Sequence, residues 1–315
     1  MKSLSVIRTH FSPYHGPQFE QIERDRLEKI PGVKMVALEE ADSKIPTVLI
    51  TNTHTVLKDL PQDLLKQTKL ILHSNSGYDH MKAEMDLWWD IPVMVGHEIR
   101  AQAVAEYSLS CLFQGLVELP QHLRWSKERT WNRPQIKDQN IWVYGYGHIG
   151  KIVCETLKHL GAKVTVVDPF VSGLTPAGNP KDAHVVIVCS SLNKTSKHMF
   201  DEKFFQHAHP ELIFINGARG KLVDEKALRE FLLTHPKAQA FLDVFEKEPF
   251  EESWVSFPQV WKTSHIAGVY AGLDEGIISF EEKVLSDFVS MNDSEFKTKY
   301  KYELLQNKLI QGELI

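Results

Sequence analysis

The chain has 315 residues with a formal charge of −5, 43% of them hydrophobic and 24% charged, enough apolar content to fill two ordinary cores. Such a balance leaves no basic excess and argues against a protein that grips nucleic acid by neutralising many phosphates; the expected partners are small molecules. Cys111, Cys154 and Cys189 stand apart in apolar segments without C-x-x-C spacing, the pattern of buried free thiols, and no metal site is expected. Residues 1–17 carry no leader pattern and no apolar run approaches membrane-spanning length, so a soluble, cytoplasmic protein is expected.

In chain order, "SVIRT" and "VKMVAL" read as strands around a helix on which Phe19, Ile22, Leu27 and Ile30 recur behind Pro17. "TVLIT" and "KLILHS" are two more apolar strands, so the first hundred residues follow a βαβ rhythm and imply a parallel sheet. Residues 101–119 read as a long helix, apolar nearly all round and therefore buried. Strands recur at "NIWVYG", "KVTVVD", "HVVIVCS", "ELIFING", "QAFLDV" and "VWKTSH", six in all, the size of a doubly wound nucleotide-binding sheet. A helical region covers 273–291, and the lysine-rich 297–311 reads as a solvated helix face.

Gly145, Gly147 and Gly150 form G-x-G-x-x-G between a strand and a helix that turns Ile149, Val153, Leu157 and Leu160 inward and stops at Gly161. The next strand ends in Asp168, close to the ~20-residue interval of a dinucleotide-binding unit. Gly145 permits the tight turn, Gly147 lets the backbone approach a pyrophosphate, and Gly150 allows close packing of helix on strand. The helix N-terminus offers its N–H groups to the phosphates. Asp168 suits two ribose hydroxyls and would repel a 2′-phosphate, which favours NAD over NADP.

Arg219 stands between Ala218 and Gly220 just after an apolar strand, Glu248 precedes Pro249, and His265 follows another apolar segment. Taken singly, each is most simply a surface cation, a solvated acid and a loop histidine. All three follow strands, and in an open parallel sheet those carboxyl ends line the crevice where a dinucleotide lies.

With "VYGYGHIGK", "INGARGKLVDEKAL", "FLDVFEKEP", "SHIAG" and "NSGYD" in this order, the chain resembles the D-isomer-specific 2-hydroxyacid dehydrogenases from about residue 50 to about residue 290. The resemblance implies two doubly wound parallel-sheet α/β domains: a Rossmann NAD-binding domain at 99–270, inserted into a flavodoxin-like substrate domain made of 1–98 and a helical return at 271–315. It implies that Arg219 binds the substrate carboxylate and carbonyl oxygen, a task suited to a planar fork of donors. His265 would exchange a proton with the carbonyl oxygen as hydride moves to or from the nicotinamide, and Glu248 would hydrogen-bond and orient the imidazole. Backbone N–H groups of Ser76 and Gly77 would grip the carboxylate. Cofactor contacts are implied for Ser76, Gly145, Gly147, His148, Ile149, Gly150, Asp168, Cys189, Ala218, Asp243 and Gly268; Asp243 could equally be a strand-end cap.

A homodimer is implied by resemblance alone. The loop "CSSLNKT" departs from the family's proline-containing segment, and the chain ends soon after Gly268, which lowers the expectation for phosphoglycerate or erythronate-phosphate dehydrogenases. Thr53, His54, Tyr78, Trp88, Trp89 and His97 are candidate pocket residues, with glyoxylate or hydroxypyruvate as the guess at substrate. Formate dehydrogenases differ by carrying glutamine in place of Glu248. Phosphite dehydrogenase and an NAD-sensing corepressor-like protein keep all three residues and stay open as alternatives.

Overall fold

Apolar runs of four to six residues, without the alternation of a one-sided sheet, form strands only where both faces are covered, and the chain builds two such sheets. In the computed structural model the described residues are 4–42, 44–117, 133–174, 178–310 and 313–314, with 125, 127, 128 and 131. The chain divides into two compact units, Met1–Arg100 with Tyr270–Ile315, and Ala101–Val269.

The first unit opens with β1 (Leu4–Arg8), α1 (Phe19–Leu27), β2 (Val33–Met35), β3 (Thr47–Thr51), α2 (Gln62–Gln67), β4 (Thr68–His73), α3 (Met85–Trp88) and β5 (Val93–Val95). Its five strands are parallel in the order β2-β1-β3-β4-β5, the flavodoxin-like winding. Val48, Leu49 and Ile50 are fully buried, as a strand covered on both faces requires. Helix α4 (His97–Val117) follows.

The second unit contains β6 (Asn140–Tyr144), α5 (His148–His159), β7 (Lys163–Val167), β8 (Val185–Val188), α6 (Glu202–Gln206), β9 (Ile213–Asn216), α7 (Glu225–Thr234), β10 (Gln239–Leu242) and β11 (Val260–Lys262). Six parallel strands run in the order β11-β10-β9-β8-β6-β7. Alternate residues serve opposite faces. Ile141 and Val143 pack with Val153, Cys154 and Leu157 of α5 and with Ala105, Leu112 and Leu116 of α4, while Trp142 and Tyr144 join Phe205, Leu228 and Phe231 on the other side. The chain then completes the first unit with α8 (Leu273–Ser290), α9 (Asp293–Lys299) and the short hairpin β12 (Leu309–Ile310) and β13 (Glu313–Leu314). No helix among the described residues is long and apolar enough to cross a membrane.

Four helix expectations change. On α1 the inward residues are Phe19, Glu23 and Leu27, one every four positions, while Ile22 is exposed and Ile30 is buried just past the helix end. On α5, Leu160 lies at the C-cap and is exposed, beyond the stripe that Val153 and Leu157 form. Helix α4 is one-sided, with Val104, Ser108 and Cys111 buried and Glu106, Ser110 and Phe113 exposed; Glu118 and Leu119 lie outside the described residues. The lysine-rich tail is α-helical only to Lys299 and resumes as a short 3-10 turn at Leu305–Lys308, because Tyr300, Leu304 and Leu305 turn into the core. Gln311, the last residue of that expected face, lies outside the described residues.

Glu23 is buried because it meets a cation. Its carboxylate accepts from the Arg8 guanidinium, which also donates to Glu281 Oε1 at 2.7 Å, and all three side chains are at most 3% exposed. Two acids on one guanidinium leave an excess of negative charge in a dry place. Burial, with Glu281 beside it, therefore pushes the Glu23 carboxyl up to about 8. Above its ordinary value of 4.5, the unfolded chain releases this proton while the folded one keeps it, so stability declines as pH rises from there to about 8. Gln at position 23 cannot titrate. We expect the melting temperature of Glu23→Gln to gain on the natural chain between pH 5 and pH 8, by an amount on the order of a few kcal/mol in stability; parallel melting curves across that range would show that Glu23 carries no such proton.

Candidate active site

Every strand of the second sheet points the same way, so the segments after β6 to β11 emerge at one edge. That edge holds Gly145 after β6, Asp168 after β7, Cys189 after β8, Ala218 and Arg219 after β9, Asp243 and Glu248 after β10, and His265 after β11. Strand order turns back at β6, which lies between β7 and β8. Such a switch point is where an open α/β sheet leaves a crevice for a ligand.

Backbone crowding explains the glycines there. Gly145 has φ +97°, and a Cβ on it would sit 2.7 Å from the Cys189 carbonyl. One on Gly150 would sit 2.0 Å from Gly145 O, so α5 can approach β6 only without it. A Cβ on Gly147 would meet nothing within 4 Å. Gly147 is also the N-cap of α5 and gives the helix no side-chain cap, and a helix start of this kind directs its first N–H groups toward an anion. An open cradle at an uncapped helix start fits the pyrophosphate of a dinucleotide.

Asp168 turns back on this loop. Its Oδ2 accepts from Tyr146 N at 2.8 Å and its Oδ1 from Phe170 N at 2.9 Å, which ties the end of β7 to the glycine turn and leaves lone pairs for further donors. The Cys189 thiol is pushed far up by burial, so it packs as a neutral group. In the divergent loop after β8, Asn193 Oδ1 accepts from Thr195 N, Thr195 Oγ1 and Ser196 N at 2.8–3.0 Å; this side chain sets the backbone path there.

His265 Nδ1 and Glu248 Oε2 are 3.0 Å apart, with the two side chains 53% and 41% exposed. A carboxylate only accepts, so Nδ1 carries the hydrogen and Nε2 is left for other proton chemistry. Glu248 Oε1 accepts from Phe245 N at 3.3 Å, which fixes its other end. His265 has φ +57°, a left-handed conformation that costs a non-glycine residue on the order of 1 kcal/mol and needs support from its surroundings. Asp243, 1% exposed, supplies it. Its carboxylate accepts from Thr263 Oγ1 at 2.6 Å, Ile266 N at 2.8 Å and Ala267 N at 2.8 Å, while its backbone O accepts from His265 N at 2.8 Å. Asp243 therefore caps its strand and clamps the loop from Thr263 to Ala267.

Arg219 is half-buried and donates from Nη1 to Ala218 O at 2.7 Å. Its own backbone is extended, while the chain bends at Ala218 and enters a 3-10 turn at Gly220. Gly220 is also required by contact: a Cβ there would lie 1.9 Å from the Phe245 carbonyl carbon. The loop bearing Arg219 is thereby pressed against the loop that leads to Glu248. Arg219, Glu248 and His265 thus stand on three adjoining strand ends, with the last two hydrogen-bonded.

Three supports escaped the motif reading. Asn216, 1% exposed, accepts from Ala218 N at 3.1 Å and donates to Arg219 O at 3.0 Å. Thr263 bridges Asp243 and the Tyr107 hydroxyl, the latter at 2.7 Å. A polar residue closing an apolar strand was the available signal for Asn216 and Thr263; nothing marked Tyr107. Ser76 and Gly77 belong to the first unit, on the loop after β4. There Trp88 is a core residue with its Nε1 donating to Met81 O at 2.8 Å, whereas Trp89 is exposed. Tyr78 is buried, its ring edge-on to that of His97.

Comparison with known proteins agrees with this architecture. Residues 109–267 match the family model of the D-isomer specific 2-hydroxyacid dehydrogenase, NAD binding domain. A glyoxylate reductase of Thermococcus gammatolerans is 24% identical over 309 residues, 90% of this chain and 89% of that protein. A D-3-phosphoglycerate dehydrogenase of Mycobacterium bovis is 26% identical over 260 residues; the match covers 78% of this chain but only 47% of that longer protein. The solved D-lactate dehydrogenase of Aquifex aeolicus, in complex with NAD and lactic acid, superposes with a TM-score of 0.70 at 19% identity, covering 96% of this chain and 99% of its own. Its two units are accordingly a Rossmann NAD-binding domain inserted into a substrate domain, and the chain belongs to the D-isomer-specific 2-hydroxyacid dehydrogenase family.

Proposed function

We propose that this NAD-dependent oxidoreductase interconverts a small 2-oxo acid and its D-2-hydroxy acid, with His265, Glu248 and Arg219 as its working side chains. The observation that carries the reading is the 3.0 Å contact of His265 Nδ1 with Glu248, which reserves Nε2 for the substrate oxygen. Bound NADH supplies the hydride that reduces the carbonyl carbon. His265 Nε2 gives the proton to the oxygen and recovers it in the reverse direction, for which its distance and protonation must both be right. Glu248 holds the tautomer. Arg219 pairs with the carboxylate and the carbonyl oxygen, placing the reacting carbon and drawing charge toward the oxygen.

The uncapped start of α5 and the open face of Gly147 support a dinucleotide lying along Gly145, Gly147, His148, Ile149 and Gly150. Asp168 would hold the adenine-side ribose. Cys189, Ala218, Asp243 and Gly268 would line the remaining length, and Ser76 and Gly77 would meet the substrate from the loop after β4, with Ser76 also touching the cofactor. A glyoxylate reductase among the relatives makes glyoxylate and hydroxypyruvate the first substrates to try, and a homodimer is the assembly proposed. A spectrophotometric screen of NADH loss with glyoxylate, hydroxypyruvate and pyruvate, run beside NAD reduction by phosphite, tests the class directly. Turnover of phosphite alone would replace this reading with another chemistry on the same scaffold.

Arg219→Ala is expected to lower kcat/KM by roughly three orders of magnitude, with NADH affinity by fluorescence titration within about threefold of the natural protein; weakened NADH binding with turnover intact would reassign the arginine to the cofactor. His265→Asn should reduce kcat by about 10²–10⁴-fold, and a variant retaining near-full kcat would remove His265 as the proton donor. Asp168→Ala should raise NADPH use relative to NADH by about tenfold or more. An unchanged ratio in parallel kcat/KM measurements would take cofactor choice away from this acid.

A further inference from the structure

The proposed function asks two backbone N–H groups, on Ser76 and Gly77, to hold a carboxylate. Backbone donors on a loop bind an anion well only if the loop is set in advance. Around residues 73–77 the first unit holds several fixed polar contacts.

His73 is the last residue of β4 and is 0% exposed. Its Nε2 lies 2.9 Å from Gly77 O and its Nδ1 lies 3.0 Å from the Thr51 hydroxyl. A carbonyl can only accept, so Nε2 bears the hydrogen; in a neutral ring Nδ1 is then bare and accepts from Thr51. Thr51 is 2% exposed, so the pair settles one tautomer in a dry environment. Burial drives the imidazole down to about 4, which keeps it neutral near pH 7. The ring of His80 lies 5.4 Å away, and the Arg100 charge acts in the same direction.

The residue before the loop is held as firmly. Ser74 Oγ donates to Glu281 Oε1 at 2.5 Å, and Ser74 O accepts from Arg100 Nη1 at 2.7 Å. Gly96 donates to His73 O at 2.8 Å and packs so closely that a Cβ would lie 3.0 Å from the Ser74 carbonyl. Between the anchor at Ser74 and the anchor at Gly77 O, only Asn75 and Ser76 remain.

We infer that His73 is a positioning residue for substrate: its neutral ring, locked by Thr51, pins the Gly77 carbonyl so that the N–H groups of Ser76 and Gly77 are preset for one carboxylate. This rests on the reading of residues 75–79 as the substrate-carboxylate loop. In this role His73 acts through the loop: its main effect falls on substrate affinity, and the single cofactor contact proposed for Ser76 makes any change in NADH affinity small.

The test compares the natural protein with His73→Leu, His73→Gln and His73→Asn. Amide hydrogen exchange over residues 74–80 reports on the loop without any substrate. Oxamate binding to the NADH-loaded enzyme, by calorimetry, reports on the carboxylate site without turnover. His73→Leu should exchange faster over the loop, bind oxamate about tenfold more weakly and raise KM by a similar factor, with kcat and NADH affinity within about twofold. Gln, long enough to donate to Gly77 O, should recover most of this, and Asn, too short, should not; that contrast stands even if the leucine variant fails to fold. Unchanged exchange in the Leu and Asn variants would overturn the positioning role. Faster exchange with oxamate affinity and KM unmoved would mean that the loop is held but takes no carboxylate, a failure of the loop's assignment that leaves Arg219 to be judged by its own variant. Equal losses in kcat, NADH affinity and KM would reduce His73 to a general structural part.

Discussion

A parallel sheet delivers all its strand ends to one edge, and that constraint gathers the candidate site residues of the second unit. Six strands of the second unit run in register from β7 at one side to β11 at the other, so residues spread over more than a hundred positions leave the sheet on the same side. Two contacts then decide how tightly the edge is drawn together. Gly150 lets α5 close on the turn at Gly145, and Gly220 lets the loop of Arg219 press against the Phe245 carbonyl. In both places a single methyl group would overlap backbone, which cannot move aside as a side chain would. Space at the active edge is thus set by backbone contact, and the side chains are hung on it afterwards.

Buried polar groups do the hanging, and they differ in how well they are satisfied. Asp243 accepts three hydrogen bonds through its two oxygens, and Asn216 uses both ends of its amide on the next loop. Each replaces the water it lost, so burial costs little. In the first unit the balance is worse: a single guanidinium, Arg8, serves two buried acids, Glu23 and Glu281. A cluster of that kind weakens stability relative to an apolar replacement of equal volume. Its Glu281 also receives the Ser74 hydroxyl, so the costly group stands at the root of the loop that bears Ser76 and Gly77.

Strands were legible in the residues because their signal is local. Runs such as Val185–Val188 are apolar throughout, and only a doubly covered strand of that length accounts for them. The glycine spacing was legible for the same reason, since turn, approach and helix start all fall within a few positions. Helix faces were read less well. Counting hydrophobic residues assigned Ile22 to the inner face of α1, where Glu23 lies, because the partner that makes Glu23 tolerable is Arg8 at the end of β1, backed by a helix some 250 residues on. Leu160 failed for a different reason: a helix cap breaks the period that the preceding turns obey. Among the site residues, the types and order of Arg219, Glu248 and His265 were readable. The hydrogen bonds that support them were not, for they join Tyr107 to Thr263 and Thr263 to Asp243 between separate elements, and sequence spacing has no mark for such neighbours.

The exposure of the His265–Glu248 pair bears on its purpose. An ion pair half open to water contributes about 0–1 kcal/mol, less than or comparable to the strain of holding His265 at φ +57°. Stability therefore gives no reason to keep it. Yet the surroundings hold both partners closely, Glu248 through Phe245 N and the histidine loop through the Asp243 carboxylate. Under the proposed function, what the buried acid and the strained backbone orient is a proton. The same economy appears in the first unit, where a buried, neutral imidazole at position 73 spends one ring nitrogen on the backbone of a loop and the other on the Thr51 hydroxyl. In each unit the rigid element is a strand end, and the group it positions is one that the motif predicts will meet substrate.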